Sequence, residues 1–292
     1  MNMNMKHIIL PAITVLLLFS TACEEIRTET RSGMIQFTVN YPMQTKVTPS
    51  SFETGDAISL YAVEWQDGTQ YPLQVGGNFV NNAQLTYDGI AWNATKTIFW
   101  GTQPCDFYAL YPYQSSVGTV ENYPFTLVED QNMVGGYEQS DLLYAYAENV
   151  AVGSTVALNF KHLMSKLVVI LVKGPEFDGD IPSDVVAHVY NTSTSCTVDW
   201  IKGSVEKEVF GAKSTLTMRK ISNDRFEAVI VPQNIEKRTP LIELTMGGIA
   251  YLLEYSLSFR PGYVHTVTIT LNTSPDQEQI EISIDPSTGN WN

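Results

Sequence analysis

The stretch at residues 156–172, VALNFKHLMSKLVVILV, constrains the fold more than any other part of this chain. Val156, Leu158 and Phe160 alternate with small or polar residues, which is the period of a strand with one buried face. Residues 167–172 form a continuous apolar and largely β-branched run, typical of a strand covered on both faces. The few residues between them are too short for a stable helix. The stretch therefore predicts two strands and a crossing from one β-rich domain into a second.

Short strand patterns separated by turn signals recur through the rest of the chain. Dipeptides such as those at 67–68, 88–89 and 247–248 are typical of tight turns. Further strands are predicted at 33–41, 57–63, 71–75, 105–113, 185–190, 196–200, 214–218, 226–231, 241–246, 249–257 and 263–271. Residues 114–140 are expected to be a long, loop-rich segment, and 141–145 one helical turn or a short strand. No amphipathic helix of normal length is present, so the pattern predicts an all-β protein.

Composition sets the broad class of protein. An apolar content of 44% is enough for a core, and 292 residues allow one large domain or two ordinary ones. The formal charge of −14 makes nucleic-acid binding unfavourable, because phosphate backbones repel such a surface.

The first 22 residues are typical of a bacterial signal peptide. Lys6 precedes an apolar run at 8–19, which is too short to span a bilayer, and small residues follow it before Cys23. This ending resembles a lipobox, so we expect residues 1–22 to be removed and Cys23 to be lipidated, with 23–32 as a tether. The alternative is ordinary cleavage near Ala22, with Cys23 incidental.

The two ends of the mature chain carry similar strand patterns. The first strand, at 33–41, has one apolar face, formed by Ile35, Phe37, Val39 and Tyr41. An exposed loop at 42–51 with Lys46 inside it is expected to follow. The tail repeats the pattern with Ile280, Ile282 and Ile284, and Trp291 comes near its end. Both segments fit the same kind of groove, and the alternative is that the tail pairs within its own chain.

No motif of a known catalytic or metal site is present, so we predict no enzyme activity, no cofactor and no metal. Asp130, Glu138 and Asp141 are carboxylates near one loop but lack the spacing of a calcium loop. His162 is expected to have a structural role at the crossing, capping or bonding backbone. Cys105 and Cys196 are expected to be buried thiols, although they could pair in an oxidising compartment.

Aromatic residues leave a second interpretation open. The set consists of Trp65, Trp92, Trp100, Trp200, Tyr108, Tyr111 and Tyr113. Aromatic side chains in strands usually form the core, but the same residues could stack on sugars.

A series of local motifs resembles the Mfa-like fimbrillins, which build type V pili of Gram-negative bacteria. The matching segments are 51–58 (SFETGDAI), 99–100 (FW), 107–113 (FYALYPY), 140–145 (SDLLYA), 158–167 (LNFKHLMSKL), 231–233 (VPQ) and 259–263 (FRPGY). Each motif alone is weak, but they occur in order over nearly the whole mature chain. The acidic pair that follows Cys23 also resembles the signal that sends such lipoproteins to the cell surface.

The resemblance implies two transthyretin-like β-sandwich domains in tandem, at 33–160 and 161–271, followed by a linker and donor-like strand at 272–292. It also implies assembly by strand exchange. A trypsin-like protease would remove the N-terminal strand by cutting after Lys46, and the tail of another subunit would fill the vacated groove. Arg31 is the alternative cut site, but a cut there leaves the strand attached. An uncut form could serve as an anchor-like subunit.

The function expected from these observations is a structural and adhesive fimbrial subunit on the cell surface. Its partners would be other fimbrial subunits, the outer membrane through the lipid, and a host or bacterial glycan or protein. The alternatives are a surface glycan-binding lipoprotein with a β-sandwich fold and a secreted β-sandwich hydrolase with two facing carboxylates.

Overall fold

Strands account for most of the chain in a computed structural model, which describes residues 33–42, 51–273 and 282–291. The first half contains β1 (Phe37–Asn40), β2 (Ala57–Glu64), β3 (Val80–Tyr87), β4 (Trp92–Ala94), β5 (Cys105–Tyr111), β6 (Tyr123–Thr126), α1 (Gly136–Ser140), β7 (Leu143–Val150), β8 (Val156–Asn159) and β9 (Lys161–His162). The all-β prediction is confirmed.

The second half begins with the longest strand, β10 (Ser165–Glu176). It continues with β11 (Val186–Ser193), β12 (Ser195–Asp199), β13 (Ser204–Lys207), β14 (Lys213–Thr217), β15 (Arg219–Ser222), β16 (Arg225–Ile230), β17 (Gln233–Ile235), β18 (Pro240–Met246), β19 (Ile249–Glu254), β20 (Leu257–Phe259), β21 (Tyr263–Thr273) and β22 (Ile282–Asn290). The described part of the chain holds no helix of the length and apolar character needed to cross a membrane.

The strands form three larger sheets and three small ones. The larger sheets have the orders β4-β3-β2-β5-β7-β9, β15-β16-β10-β21-β22 and β14-β11-β18-β19. The small sheets are β13-β12-β6, β17-β20 and β1-β8. Among the described strands, neighbours are antiparallel except in two pairs, β10 with β21 and β1 with β8, which are parallel. The two strands predicted at 156–172 are confirmed as β8 and β10.

The six-stranded sheet is buried on both faces because its central strands alternate between two cores. In β2, Leu60 belongs to the first core and Tyr61 to the second. In β5, Phe107 belongs to the first core and Tyr108 to the second. The second core also contains Phe226 and most buried residues of the second half. The described residues belong to one compact unit with two cores, which is compatible with two sandwiches. The domain limits at 33–160 and 161–271 stay a prediction.

One local prediction was wrong, and a second lacked detail. Residues 71–75 form no strand, although Leu73 is buried; Pro72 has no N–H to donate to a ladder. The segment at 114–140 is mostly loop, as predicted, but it also contains the short elements β6 and α1. Strand β6 pairs with β12, a partner about seventy residues away that periodicity cannot reveal.

Candidate functional site at the two terminal strands

The N-terminal strand is hydrogen-bonded to two different neighbours, one for each half of its length. In the first half, Ile35 donates its backbone N–H to Ile98 at 2.9 Å, and Trp100 donates to Gly33 at 3.1 Å. In the second half, β1 pairs with β8, where Val156 donates to the Gln36 carbonyl at 2.8 Å. In the described structure, the first half of the strand is therefore hydrogen-bonded on one side to residues 98–100, and the second half on one side to β8.

The side chains of this strand alternate as the sequence predicted. Ile35 is buried, and Phe37, Val39 and Tyr41 are half-buried against the first core. The Phe37 ring meets Phe107 edge-on, with centroids 6.1 Å apart. Removal of this strand would therefore expose an apolar groove, while its role as a removable segment stays a prediction.

A groove of about 370 Å³ borders the open side of β1. Its lining includes Val39 of the strand, Phe52, and the partly exposed pair Tyr87 and Trp92, whose rings stack with centroids 5.4 Å apart. The unpaired edge of β1 and this groove are the places where an extended chain could approach the strand.

The C-terminal tail forms the edge strand of the five-stranded sheet. Strand β22 pairs antiparallel with β21 from Ile282 opposite Leu271 to Asn290 opposite Tyr263. Residues 285–290 are exposed, whereas Trp291 is only 3% exposed. The tail thus pairs within its own chain, which is the alternative that the sequence left open. Its role as a donor for another subunit stays a prediction.

Four predicted site residues lie outside the described ranges. They are the lipidation residue Cys23, the processing residues Arg31 and Lys46, and Ile280 of the tail.

The ends of both terminal strands meet at a buried pair, Asp141 and His162. His162 Nδ1 lies 2.7 Å from Asp141 Oδ1. The second carboxylate oxygen, Oδ2, accepts the hydroxyl of Tyr41 at 3.3 Å. The indole of Trp291 stacks on the His162 ring, with centroids 3.7 Å apart and planes 10° apart. We call these four residues the terminal cluster. The sequence predicted a structural role for His162 but not its carboxylate partner, and no local signal joins residues so far apart in the chain.

A charged network adjoins the terminal cluster. Lys166 Nζ lies 5.8 Å from the centre of the Trp291 ring and 2.8 Å from Glu227 Oε2. Glu227 also accepts from Arg225 at 2.8 Å and from Arg219 at 3.3 Å. Burial raises the pKa of the Glu227 carboxyl, but Lys166 and then Arg225 outweigh it, so the net pKa lies below its ordinary value. The carboxylate therefore remains charged in the folded protein at neutral pH.

The sequence of the described fold matches a model of the fimbrillin-like family, Mfa_like_1, over residues 45–291. The chain belongs to the fimbrillin-like family. This confirms the resemblance drawn from the sequence motifs, and it makes the protein a member of a family of fimbrial subunits. No curated protein matches this fimbrillin-like chain.

Solved structures share the fold of this fimbrillin-like protein. A candidate cell adhesion protein from Bacteroides ovatus is 16% identical, with a TM-score of 0.69 over 88% of this chain and 96% of its own. One from Bacteroides uniformis is 20% identical, with a TM-score of 0.65 over 82% and 93%. The tip fimbrial protein Mfa3 from Porphyromonas gingivalis is 11% identical, with a TM-score of 0.50 over 82% and 95%.

The other residues singled out in this fimbrillin-like sequence are mostly part of its interior. Trp100, Trp200, Tyr108 and Tyr111 are buried, whereas Trp65, Trp92 and Tyr113 are half-buried. Cys105 and Cys196 are buried free thiols, as expected, and burial raises the pKa of each to about 12. The candidate cation ligands have other partners: Asp130 accepts from Asn132, and Glu138 from Arg219. Among the described residues, no three His, Cys, Asp or Glu side chains lie close enough together to hold a metal ion.

His265 of β21 gives the fold a pH dependence near the tail. Burial, and secondly Arg260, lowers the pKa of this imidazole from 6.5 to about 4. Its Nε2 accepts the backbone N–H of Arg260 at 3.2 Å, and its Nδ1 lies 3.4 Å from the hydroxyl of Thr288 in β22. Between these two pKa values the unfolded chain binds more protons than the folded one, so stability falls as the pH falls.

We expect the free energy of unfolding to drop by about 1 kcal/mol from His265 alone between about pH 7.5 and about pH 5, after allowance for solvent screening. Urea denaturation at both values measures it. The His265→Gln variant is the control, because it should lose this share of the pH dependence. Equal pH dependence in the two proteins would contradict the prediction.

Proposed function

We propose that this protein is a structural and adhesive subunit of a fimbria that assembles by strand exchange. The observation that carries the proposal is that both terminal strands occupy positions from which a strand can leave. Each half of the N-terminal strand is laddered on one side, and β22 lies at the edge of its sheet. Edge strands carry unpaired backbone groups and are the usual sites of strand addition between proteins.

The acceptor groove is the space that the N-terminal strand leaves behind. It has two free backbone edges, residues 98–100 and β8, and an apolar floor that includes Phe107. Exposed apolar surface and unpaired edges are unfavourable in water, so the open groove favours a replacement strand.

The donor is the tail of a neighbouring subunit, with Ile280, Ile282 and Ile284 on one face. Full burial of three isoleucines contributes on the order of 5–8 kcal/mol. The backbone hydrogen bonds between the donor and the groove fix the register and the direction of the donor strand. Residues 285–290 of β22 are exposed, so the transfer of this part of the strand to a neighbour breaks few side-chain contacts apart from those of Trp291.

Export and attachment are the remaining part of the proposal. Cys23 is lipidated after removal of residues 1–22, and the lipid attaches the subunit to the outer membrane before it joins the fimbria at the cell surface. A single acyl chain binds membranes weakly, so stable anchoring needs the further acyl chains of a mature lipoprotein. The proposed role is binding and assembly, without catalysis.

Limited digestion of the full chain with a trypsin-like protease tests the processing step. We expect the first cut after Lys46, release of the segment that carries β1, and polymer formation by the cut protein. The Lys46→Gln variant should stay monomeric under the same digestion, whereas Arg31→Gln should behave as the unaltered chain. Polymer formation by an uncut chain would remove the processing step from the account.

A further inference from the structure

The tail is held to its own chain by two different kinds of contact. Residues 285–290 are exposed and are held by a ladder to β21 at the edge of the sheet. Trp291 is buried, and its backbone N–H donates to the Gly262 carbonyl at 2.8 Å. The backbone hydrogen bonds of exposed residues at a sheet edge break at low cost. The closed state of the tail therefore depends strongly on the contacts that hold Trp291.

Two parts of the chain hold Trp291 and together form what we call its seat: the His162 ring and the turn that contains Gly262. Gly262 has a positive φ of 71°, which glycine adopts readily, and this turn conformation places the Gly262 carbonyl within hydrogen-bond distance of the Trp291 N–H. The His162 ring supplies the flat surface on which the indole stacks, at 3.7 Å between centroids. The orientation of this imidazole therefore strongly affects how well Trp291 is held.

The orientation of His162 depends in turn on the N-terminal strand. Asp141 fixes the imidazole through Nδ1 at 2.7 Å, and Tyr41 donates to the other oxygen of the same carboxylate at 3.3 Å. The Tyr41 ring also meets the His162 ring edge-on, with centroids 5.8 Å apart. His162 thus lies between Tyr41 at the end of the first strand and Trp291 at the end of the tail.

We propose that the Asp141–His162 pair is a latch that makes closure of the C-terminal tail depend on the presence of the N-terminal strand. When the strand leaves, Tyr41 leaves with it, and water reaches the carboxylate and the imidazole. The His162 ring then gains rotational freedom, and the stacked seat of Trp291 loosens. The biological role of this latch rests on the proposed function: one cut would open the acceptor groove and release the donor tail of the same subunit.

The coupling itself is a property of the monomer and needs no polymer to be measured. Hydrogen–deuterium exchange of the amides at 282–290, except at Pro286, which has no N–H, reports opening of the tail in the full, uncut chain. We expect Trp291→Ala to raise their exchange rates by at least about 10-fold and Tyr41→Ala by at least about 5-fold. The amides of β10 should stay protected in both variants, which separates local opening from global unfolding.

Phe37→Ala is the matched control, because Phe37 lies on the same strand but packs on Phe107 away from the latch. It should leave tail exchange within about 2-fold of the unaltered chain. The tail amides of the double variant Tyr41→Ala/Trp291→Ala should exchange no faster than those of Trp291→Ala alone. Both changes interrupt the same series of contacts, which runs from the first strand through His162 to the tail. If Tyr41→Ala does not fold, Tyr41→Phe replaces it and should raise exchange by about 2-fold, because only the hydroxyl is lost.

Equal effects of Tyr41→Ala and Phe37→Ala on the tail, or additive effects in the double variant, would overturn the latch. Those results would leave the proposed function intact if cut subunits still polymerise. Conversely, coupled exchange in a protein that never polymerises would keep the latch and remove the fimbrial role proposed for it.

Discussion

A chain that ends at Ser274 is expected to fold and to accept a donor strand, but to be unable to serve as a donor. Strand β21 ends at Thr273, so this truncation leaves both its pairing with β10 and the two cores in place, apart from Trp291. The missing segment carries the apolar face that the sequence pattern predicts for Ile280, Ile282 and Ile284. Loss of their burial should lower incorporation as donor by at least about 100-fold.

Mixing experiments between tagged subunits measure this effect. The truncated chain, once cut, is incubated with cut full-length protein, and each junction is assigned by which subunit supplies the tail. A triple Ile→Asn variant at 280, 282 and 284 should reproduce the loss, whereas Ala at the alternating positions 281 and 283 should not. A truncated subunit that still enters polymers as donor would show that the tail assignment is wrong.

Replacing Glu227 by glutamine is expected to lower the free energy of unfolding by about 3 kcal/mol, because it leaves a buried ammonium without a counter-charge. Lys166 is only 7% exposed, and Glu227 is its carboxylate partner at 2.8 Å. The arginines that also bind Glu227 are partly exposed and can turn to water, but the Lys166 side chain in β10 cannot.

Asp180→Asn is the matched control for this change. Asp180 pairs with Lys173 at 3.9 Å, with both side chains exposed, so the same neutral replacement should cost less than about 1 kcal/mol. Urea denaturation of the two variants at neutral pH gives the comparison. A Glu227→Gln cost no larger than that of Asp180→Asn would show that the buried network does not stabilise the fold as argued.

Local sequence patterns predicted which segments become strands and which side chains turn inward. The alternation of Ile35, Phe37 and Val39 and the continuous run at 167–172 both reflect burial on one or two faces of a sheet. Such patterns depend on near neighbours in the chain, so hydrophobic periodicity was sufficient for them.

The pairing of distant segments was beyond these patterns. Periodicity carries no register, so it could not show that β1 runs parallel to β8 or that the tail pairs with β21. Buried polar residues were equally hidden: Asp106 accepts hydrogen bonds from Trp65, Gln70, Tyr146 and the Asn149 backbone. The terminal cluster belongs to the same class, because its members meet only in the folded protein.

A disulfide that ties the N-terminal strand to β8 tests the central claim most directly. Asn40 and Asn159 are paired and exposed, and the amide of one donates to the other at 2.8 Å. Paired positions in adjacent strands have the Cα separation that a disulfide needs. The variant Asn40→Cys/Asn159→Cys should fold, be cut between residues 42 and 51, and yet retain its first strand.

The control is Thr126→Cys/Ser195→Cys, a paired position of β6 and β12, whose sheet contains neither β1 nor β22. The measurement is polymer formation by the cut proteins before and after reduction. The account predicts no polymer from the oxidised Asn40→Cys/Asn159→Cys protein, full assembly after reduction, and assembly of the control in both states. If the oxidised Asn40→Cys/Asn159→Cys protein polymerised as well as the reduced protein, the result would contradict replacement of the first strand.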